Sequence, residues 1–361
     1  MPSPSINIIG SGSMGHLWTA YLLDKQVNVR LYARQPQDSQ QYILQSPQRR
    51  FACNITHHSL NLEKSVKARE ITPPSNAPND PKDGLITSKV TMPFFIRSYT
   101  PQDSTLSTTS TGYSRLNNWQ KPDFLLICVK ATALQGLCVE LKSISPPETP
   151  IILMMNGMGI IEMAQQYLPE TTIYQASTSH GARLENFDLW HTGHGETLIG
   201  NIDEKNSLKK NDKPIADLIS TLNNALPLVR WSDNHQEVLW TKLLINSIIN
   251  PLTTIHNVQN GGLLSSKKIN RQAKTLTQQL EPIIRKYLPS QNWQSIFEKV
   301  ELVANQTYTN VSSMRQDVLM GKKTEIDFIT GYLLKMAAKQ QINLPEHEQM
   351  VNQIKLLEKE S

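Results

Sequence analysis

The chain has 361 residues and a formal net charge of +5 at pH 7. This length exceeds what one hydrophobic core usually supports, so we expect two domains. Lysine and arginine are spread along the chain, which argues against nucleic-acid binding. No apolar run reaches the length of a bilayer span, and the three cysteines have neither metal-ligand nor CxxC spacing. With no basic and apolar leader ahead of the first strand, we expect a cytoplasmic protein without disulfides, zinc or membrane association.

The first predicted elements are a strand over residues 6–9 and a helix over residues 16–23. Between them lies a glycine-rich turn, Gly10-Ser11-Gly12-Ser13-Met14-Gly15. Gly10 permits the tight turn, Gly12 lets the backbone approach a pyrophosphate, and Gly15 allows close packing of the helix on the strand. A GxGxxG motif alone is weak, but a strand before it and a helix after it predict dinucleotide binding.

The next strand, over residues 27–32, indicates which dinucleotide binds. NAD enzymes usually place an acidic residue at its end, whereas an arginine accommodates the 2′-phosphate of NADP. This chain has Arg34 there and no Asp or Glu from Val27 to Gln37. We therefore expect NADPH/NADP⁺, the alternative being that Arg34 is an ordinary solvated side chain.

Residues 61–118 differ from the rest of the chain. They contain six prolines and a polar run, and only residues 90–99 have the composition of a strand. We interpret them as a long surface excursion, either flexible or folded as an appended hairpin. A loop of this length is usually functional or disordered.

Two apolar runs, over residues 123–129 and 151–155, have the composition of buried parallel strands. Lys130 follows the first and Asn156 the second, so both face the ligand crevice at the carboxyl ends of the strands. The alternative for Lys130 is that it merely caps its strand. Strands are also predicted over residues 171–177 and 196–202. His191 and His194 between them lack a carboxylate or cysteine to complete a metal site.

After Trp231 the pattern is helical. The segment over residues 236–249 is apolar around most of its circumference, yet Lys242, Asn246 and Asn250 form one polar stripe at i, i+4 and i+8. Such a stripe faces a cleft or, alternatively, solvent. Glu325 is a candidate partner for Lys242; alternatively it is an exposed residue that favours the dipole of a helix over residues 326–338.

Seven motifs along nearly the whole chain resemble those of the ketopantoate reductase (2-dehydropantoate 2-reductase) family. They are GSGSMG at 10–15, CVKA at 128–131, NGMG at 156–159, SHGAR at 179–183, LWTKLLINSIINPLT at 239–253, NVSSM at 310–314 and TEID at 324–327. The motif at 239–253 is the most specific. The excursion at 61–118 departs from the family pattern because it is longer than the usual connection.

The resemblance implies an α/β Rossmann domain over residues 1–232 that binds NADPH, followed by an all-α domain over residues 233–361, in a 6-phosphogluconate dehydrogenase-like arrangement. The implied reaction is reduction of 2-dehydropantoate to (R)-pantoate in pantothenate and coenzyme A biosynthesis. Lys242 is implied as the proton donor, with Glu325 linked to it and to the substrate hydroxyl. Lys130 and Asn156 match positions near the nicotinamide and its ribose. Positions near the substrate are matched by Asn246, Asn250, Asn260, Asn310 and Ser313.

Two alternatives are a reductase of another branched 2-oxo acid and a catalytically silent NADP-binding sensor. A hydrophobic pocket discriminates a single methylene by only about 1–3 kcal/mol, so the sequence does not separate close substrates. A sensor has no need of the proton donor that Lys242 provides. The expected partner is a small-molecule 2-oxo acid, with no nucleic acid and no membrane, and the chain is expected to be a monomer or a homodimer.

Overall fold

The structure is a computed structural model that describes residues 3–33, 40–46, 50–55, 121–201 and 212–360. Arg34 and the excursion at 61–118 lie outside the described residues. The first part of the chain alternates strands and helices. These are β1 (Ile6–Ile9), α1 (Ser13–Asp24), β2 (Val29–Tyr32), β3 (Gln40–Gln45), β4 (Arg50–Ile55), β5 (Phe124–Ile127), α2 (Ala131–Ile144), β6 (Ile151–Leu153), α3 (Ile160–Tyr167), β7 (Ile173–Thr178), β8 (Gly181–Glu185), β9 (Asp188–Gly193), β10 (Thr197–Gly200), α4 (Lys213–Ala225) and β11 (Val229–Trp231).

Seven of these strands form the main sheet, in the order β11-β10-β7-β6-β5-β1-β2. From β2 to β7 all neighbours are parallel, and β10 pairs antiparallel with β7. Every residue of β1, β2, β5 and β6 is buried, because helices cover both faces of the sheet. This arrangement confirms the predicted Rossmann-type α/β part and its strands, several of which are a few residues shorter than predicted.

A second sheet of four strands has the order β4-β3-β9-β8. In it β8 and β9 form an antiparallel hairpin that contains His191, and β3 pairs parallel with β9. The backbone N–H of Leu184 in β8 donates to Ser13 Oγ at 3.1 Å. The smaller sheet therefore contacts the start of α1, where the glycine-rich turn ends.

After β11 the described elements are helical, as predicted. They are α5 (His235–Ile255), α6 (Gly262–Ser265), α7 (Lys267–Gln279), α8 (Glu281–Tyr287), α9 (Trp293–Gln306), α10 (Ser313–Leu319), a 3₁₀ turn (Ile326–Phe328), α11 (Thr330–Ala338) and α12 (Pro345–Glu360). The long helix α5 contributes Leu244, Ile248 and Leu252, each 0% exposed, to the core of this part. None of the helices in the described part of the chain is long and apolar enough to cross a membrane.

The predicted helix over residues 326–338 is wrong in one respect, because it is divided at Ile329. The backbone of Ile329 lies at φ −103° and ψ −91°, outside the helical region. The carbonyl of Phe328 accepts the N–H of Met158 at 2.9 Å, and Phe328 packs against Gly157. A contact with the loop after β6 thus interrupts the helix, which periodicity along the chain does not reveal.

Candidate functional site

The three glycines of the glycine-rich turn have different surroundings. Gly10 has φ +119°, and a Cβ there would lie 2.7 Å from the carbonyl carbon and oxygen of Cys128. A Cβ on Gly15 would lie 1.8 Å from the carbonyl oxygen of Gly10, so α1 packs on the turn at a distance that only glycine allows. Among the described residues, a Cβ at Gly12 would meet nothing within 4 Å. The backbone at Gly12 is therefore open to a ligand at the positive end of α1.

The other three residues of the turn have different surroundings. Ser11 is partly buried, and the Ser13 hydroxyl accepts the N–H of Leu184. Met14 packs against the core formed by the sheet and α1. Gly12 is the exposed member of the motif, which makes it the residue best placed for ligand contact.

Lys130 and Asn156 lie at the carboxyl ends of the adjacent strands β5 and β6, as predicted. Their side chains reach the helical part of the chain. Lys130 forms an ion pair with Asp317 of α10, and Asn156 Nδ2 donates to Glu325 Oε2 at 3.4 Å. Burial raises the pKa of the Asp317 carboxyl, and the neighbouring Lys130 opposes that rise. Lys130 therefore does more than cap its strand.

Glu325 is only 8% exposed, so it is not the solvated residue that the alternative interpretation describes. Its Oε1 accepts the backbone N–H of Ala131 at 2.9 Å, at the first residue of α2. The carboxylate thus stabilises the N-terminus of α2 rather than that of the helix that follows it in sequence. Burial raises the pKa of Glu325, while the Ala131 hydrogen bond and the charge of Lys130 oppose the rise.

Lys242 lies on α5 and is partly buried. Its ammonium donates to the carbonyl oxygen of Thr178, the last residue of β7, at 2.8 Å. Burial lowers the pKa of Lys242 to about 8, and the negative charge of Glu325 opposes part of that fall. An amine with this pKa can hold a proton near neutral pH and release it during a reaction.

Lys242 lies in a small, narrow cleft. The cleft is lined from the sheet by Asn156, Gln175 and Ser177 and from α5 by Lys242 and Asn246. Polar groups of the α/β part and of the helical part thus converge on one space. This confirms that the polar stripe of α5 faces a cleft at its first two positions.

The third member of the stripe, Asn250, is not among the residues that line this cleft. It is 7% exposed, and its backbone carbonyl accepts the hydroxyls of Thr253 and Thr254 at 3.1 and 2.7 Å. Asn250, one turn further along α5 than Asn246, is therefore a buried residue that does not line this cleft.

Asn260, Asn310 and Ser313 lie beyond the end of α5. The N–H of Asn260 donates to the carbonyl of Asn310 at 3.0 Å, and Asn260 Nδ2 donates to Thr307 Oγ1 at 2.9 Å. Asn260 Oδ1 is buried and has no hydrogen-bond partner within the described residues, which leaves an acceptor for a ligand. Asn310 and Ser313 are exposed, and Ser312, rather than Ser313, caps α10.

Sequence reasoning missed four polar groups of this site. They are the Thr178 carbonyl, the Ala131 N–H, the Gln175 amide and the Asp317 carboxylate. Two are backbone groups, which have no sequence signature. The position of Asp317 close to the NVSSM motif is the one sequence feature that could have drawn attention to it. Its ion pair could not be predicted, because Lys130 is remote in sequence.

His191 has hydrogen-bond partners other than a metal, and the ring of His194 packs against it. His191 Nδ1 lies 2.9 Å from the hydroxyl of Tyr21, and its Nε2 lies 3.1 Å from Nδ1 of His180. Within the described residues, no cluster of three or more His, Cys, Asp or Glu side chains could hold a metal ion. Cys53, Cys128 and Cys138 are free thiols whose pKa values are raised by burial.

Comparison with known proteins assigns the chain to a family. The sequence model of "Ketopantoate reductase PanE/ApbA" matches residues 6–204, and that of its C-terminal part matches residues 234–358. The 2-dehydropantoate 2-reductase of Vibrio cholerae is 34% identical over 237 residues, 65% of this chain and 78% of that protein. The Yersinia pestis enzyme of that name is 28% identical over 352 residues, covering 97% and 94%. A PanE/ApbA family ketopantoate reductase structure from Ralstonia eutropha JMP134 has a TM-score of 0.70 at 17% identity, with 99% of each chain covered. The chain therefore belongs to the ketopantoate reductase family.

Proposed function

We propose that this protein is an NADP-dependent oxidoreductase that reduces 2-dehydropantoate to (R)-pantoate with NADPH, a step in pantothenate and coenzyme A biosynthesis. The observation that carries the proposal is the position of Lys242. Its ammonium lies in a cleft between the carboxyl ends of the strands and α5, with Glu325 as its charged neighbour. Family membership supports the same reaction.

The open backbone at Gly12 fits the pyrophosphate of a dinucleotide, because an anion there meets the N-terminus of α1. When bound, NADPH supplies the hydride. In this proposal Gly10 and Gly15 hold the turn in shape, while Ser11, Ser13 and Met14 complete it. Lys130 and Asn156 hold the nicotinamide end, and Arg34 selects the 2′-phosphate.

Lys242 acts on the carbonyl oxygen of the substrate. Reduction of a ketone builds negative charge on this oxygen, so a positioned ammonium stabilises the developing alkoxide and then protonates it. Glu325 keeps a negative charge near the ammonium, which favours its protonated form.

The substrate is assigned to the amides and hydroxyl of the helical part, in line with the family resemblance. Asn246 shares the cleft with Lys242. Asn260 Oδ1, which has no partner among the residues that the structure describes, can accept a hydrogen bond from a substrate hydroxyl. Asn250, Asn310 and Ser313 complete the set proposed for the hydroxyl and carboxylate of the substrate.

The first experiment follows NADPH absorbance with purified protein, comparing 2-dehydropantoate with other branched 2-oxo acids and NADPH with NADH. We expect rapid oxidation of NADPH with 2-dehydropantoate. Turnover of another oxo acid instead would contradict the substrate assignment. NADPH binding without turnover of any oxo acid would favour a catalytically silent sensor.

Lys242→Ala tests the proton donor directly. Removal of one group that stabilises developing charge costs about 3 kcal/mol, roughly a hundredfold or more in kcat. The matched control is Lys286→Ala, which removes an exposed lysine of α8. Equal turnover in the two variants would exclude Lys242 as the donor.

We also propose that residues 1–232 and 233–361 are separate domains, in agreement with the limits of the two family matches. The three free thiols suit a reducing compartment, so the cytoplasm is the proposed location. The proposed partner is a small-molecule substrate, and light scattering will distinguish a monomer from a homodimer.

A further inference from the structure

A buried chain of three side chains links α1 to the end of β7. The hydroxyl of Tyr21 lies 2.9 Å from Nδ1 of His191, and Nε2 of His191 lies 3.1 Å from Nδ1 of His180. Tyr21, His191 and His180 are 6%, 1% and 7% exposed. The reaction proposed above uses none of them, although His180 is only two residues from Thr178.

The hydrogen bonds determine the protonation of His180. The backbone N–H of Gly195 donates to His180 Nδ1 at 3.1 Å, so this nitrogen is an acceptor and the proton of the neutral ring is on Nε2. His191 Nε2–H then shares the single lone pair of His180 Nδ1 with the N–H of Gly195, and the Tyr21 hydroxyl donates to His191 Nδ1. Burial, together with the charge of the nearby His194, lowers the pKa of His180 and of His191 to about 4. Both rings are therefore neutral near pH 7.

His180 also closes the turn that follows β7. Its backbone N–H donates to Thr178 Oγ1 at 3.2 Å, and the hydroxyl of Thr197 donates to the same oxygen at 2.9 Å. The hydroxyl of Ser179 accepts the N–H of Glu196 at 2.9 Å. The segments 178–181 and 195–197 are thus joined, and the bond between Gly195 and His180 is a side-chain link across them.

The same turn holds Lys242, because the carbonyl of Thr178 accepts its ammonium at 2.8 Å. We propose that His180 is a positioning residue for Lys242: by accepting the N–H of Gly195 it keeps the Thr178 carbonyl within hydrogen-bond distance of the ammonium. The importance of this for turnover rests on the proposed function, in which Lys242 is the proton donor.

The proton affinity of Lys242 depends on the groups that contact its ammonium. A carbonyl that accepts from the ammonium stabilises its charged form, as does the negative charge of Glu325. If the turn relaxes, the ammonium of Lys242 still has the charge of Glu325 nearby but no longer has the hydrogen bond to the Thr178 carbonyl. The pKa of Lys242 should therefore fall. The titratable groups that face His180 are His191 of β9 and His194, and Tyr21 of α1 contacts His191 in turn.

Two variants of His180 distinguish the hydrogen bond that Nδ1 accepts from Gly195 from the packing of the side chain. His180→Leu removes the acceptor for Gly195, whereas His180→Asn keeps an acceptor near the position of Nδ1. Loss of a hydrogen bond to a charged group corresponds to a shift on the order of one pH unit. We expect the fall of kcat at high pH to move down by this amount in His180→Leu and to stay at the parental pH in His180→Asn.

Thr178→Val is a second route to the same result, needed if His180→Leu does not fold. It keeps the β-branched shape but removes the oxygen that accepts from His180 and Thr197, and we expect the same downward shift. Identical pH profiles for folded His180→Leu, Thr178→Val and the parent would overturn the inference. An equal shift in His180→Asn and His180→Leu would also overturn it.

A measurement without turnover separates this inference from the proposed function. The rate of acetylation of Lys242 by acetic anhydride, followed against pH by peptide mass spectrometry, reports its pKa directly. We expect the midpoint to fall in His180→Leu and not in His180→Asn, and an unchanged midpoint in folded His180→Leu would refute positioning. Retained turnover in Lys242→Ala would instead refute the proposed proton donor and leave this titration valid.

Discussion

Substitution of alanine for each of two glycines in the same turn should separate folding from cofactor binding. At Gly15 the added Cβ would lie 1.8 Å from the carbonyl oxygen of Gly10, which is backbone and cannot rotate away. At Gly12 it would meet no atom of the described part of the chain within 4 Å. The chemical change is identical, so any difference in stability reports the surroundings of each glycine.

The two free energies of unfolding follow from these contacts. In Gly15→Ala, helix propensity contributes about 1 kcal/mol in favour of alanine, but the overlap forces the backbone apart. Overpacking of this kind costs about 1–3 kcal/mol and more when backbone must move, so we expect net destabilisation of about 2 kcal/mol. Gly12 has φ −77°, which alanine adopts without strain. Replacing glycine by alanine at the N-cap destabilises the helix, whereas the smaller entropy of the unfolded chain stabilises the folded state. The two effects nearly cancel, so we expect the free energy of unfolding to change by less than about 0.5 kcal/mol.

The assay is thermal and urea unfolding without cofactor, followed by titration with NADPH. We expect Gly12→Ala to unfold like the parent and to bind NADPH roughly tenfold to a hundredfold more weakly, because its methyl group displaces the pyrophosphate from charge-assisted hydrogen bonds. Gly15→Ala should unfold earlier. Parental NADPH affinity in Gly12→Ala, or equal destabilisation of both variants, would refute this account of the turn.

Three further predictions concern titration and cofactor choice. Glu325→Gln removes the charge that raises the pKa of Lys242, so the loss of kcat as pH rises should begin at lower pH; an unchanged pH–rate profile would contradict this. His347 is 0% exposed, donates through Nε2 to Leu276, and has its pKa lowered by burial from 6.5 to about 4. Its stabilisation is therefore complete above pH 6.5 and is lost as pH falls towards 4, by about 3 kcal/mol. His347→Gln keeps the donor without titrating and should flatten the dependence of unfolding on pH in that window, whereas a parental slope would exclude His347 as the cause. Arg34→Ala should weaken NADPH more than NADH, and equal weakening would show that Arg34 does not contact the 2′-phosphate.

Some features of the site are local in sequence and could be predicted. The spacing of Gly10, Gly12 and Gly15 between a strand and a helix follows from the geometry of one turn. The spacing of Lys242 and Asn246 follows from the helical repeat, which places both residues on one face of α5. Apolar runs likewise identified the buried parallel strands, since burial on both faces leaves no polar alternation.

Other features depend on groups that are far apart along the chain. Periodicity predicted one helix from residue 326, but Phe328 bonds to Met158 and the helix begins anew at Thr330. Glu325 occupies the N-terminus of α2 rather than that of the helix that follows it.

What the sequence determined by itself was the type of β1, β2, β5, β6, β7, β10 and the helices after β11, together with the residues able to carry charge and protons. The strands of the smaller sheet were not predicted. Only the tertiary structure decided that Lys242 binds the carbonyl of Thr178 and that Glu325 is buried beside Ala131. The physical reason is that backbone carbonyls and N–H groups are the same in every residue. Their availability to a side chain depends on how the sheet and helices pack and not on local sequence.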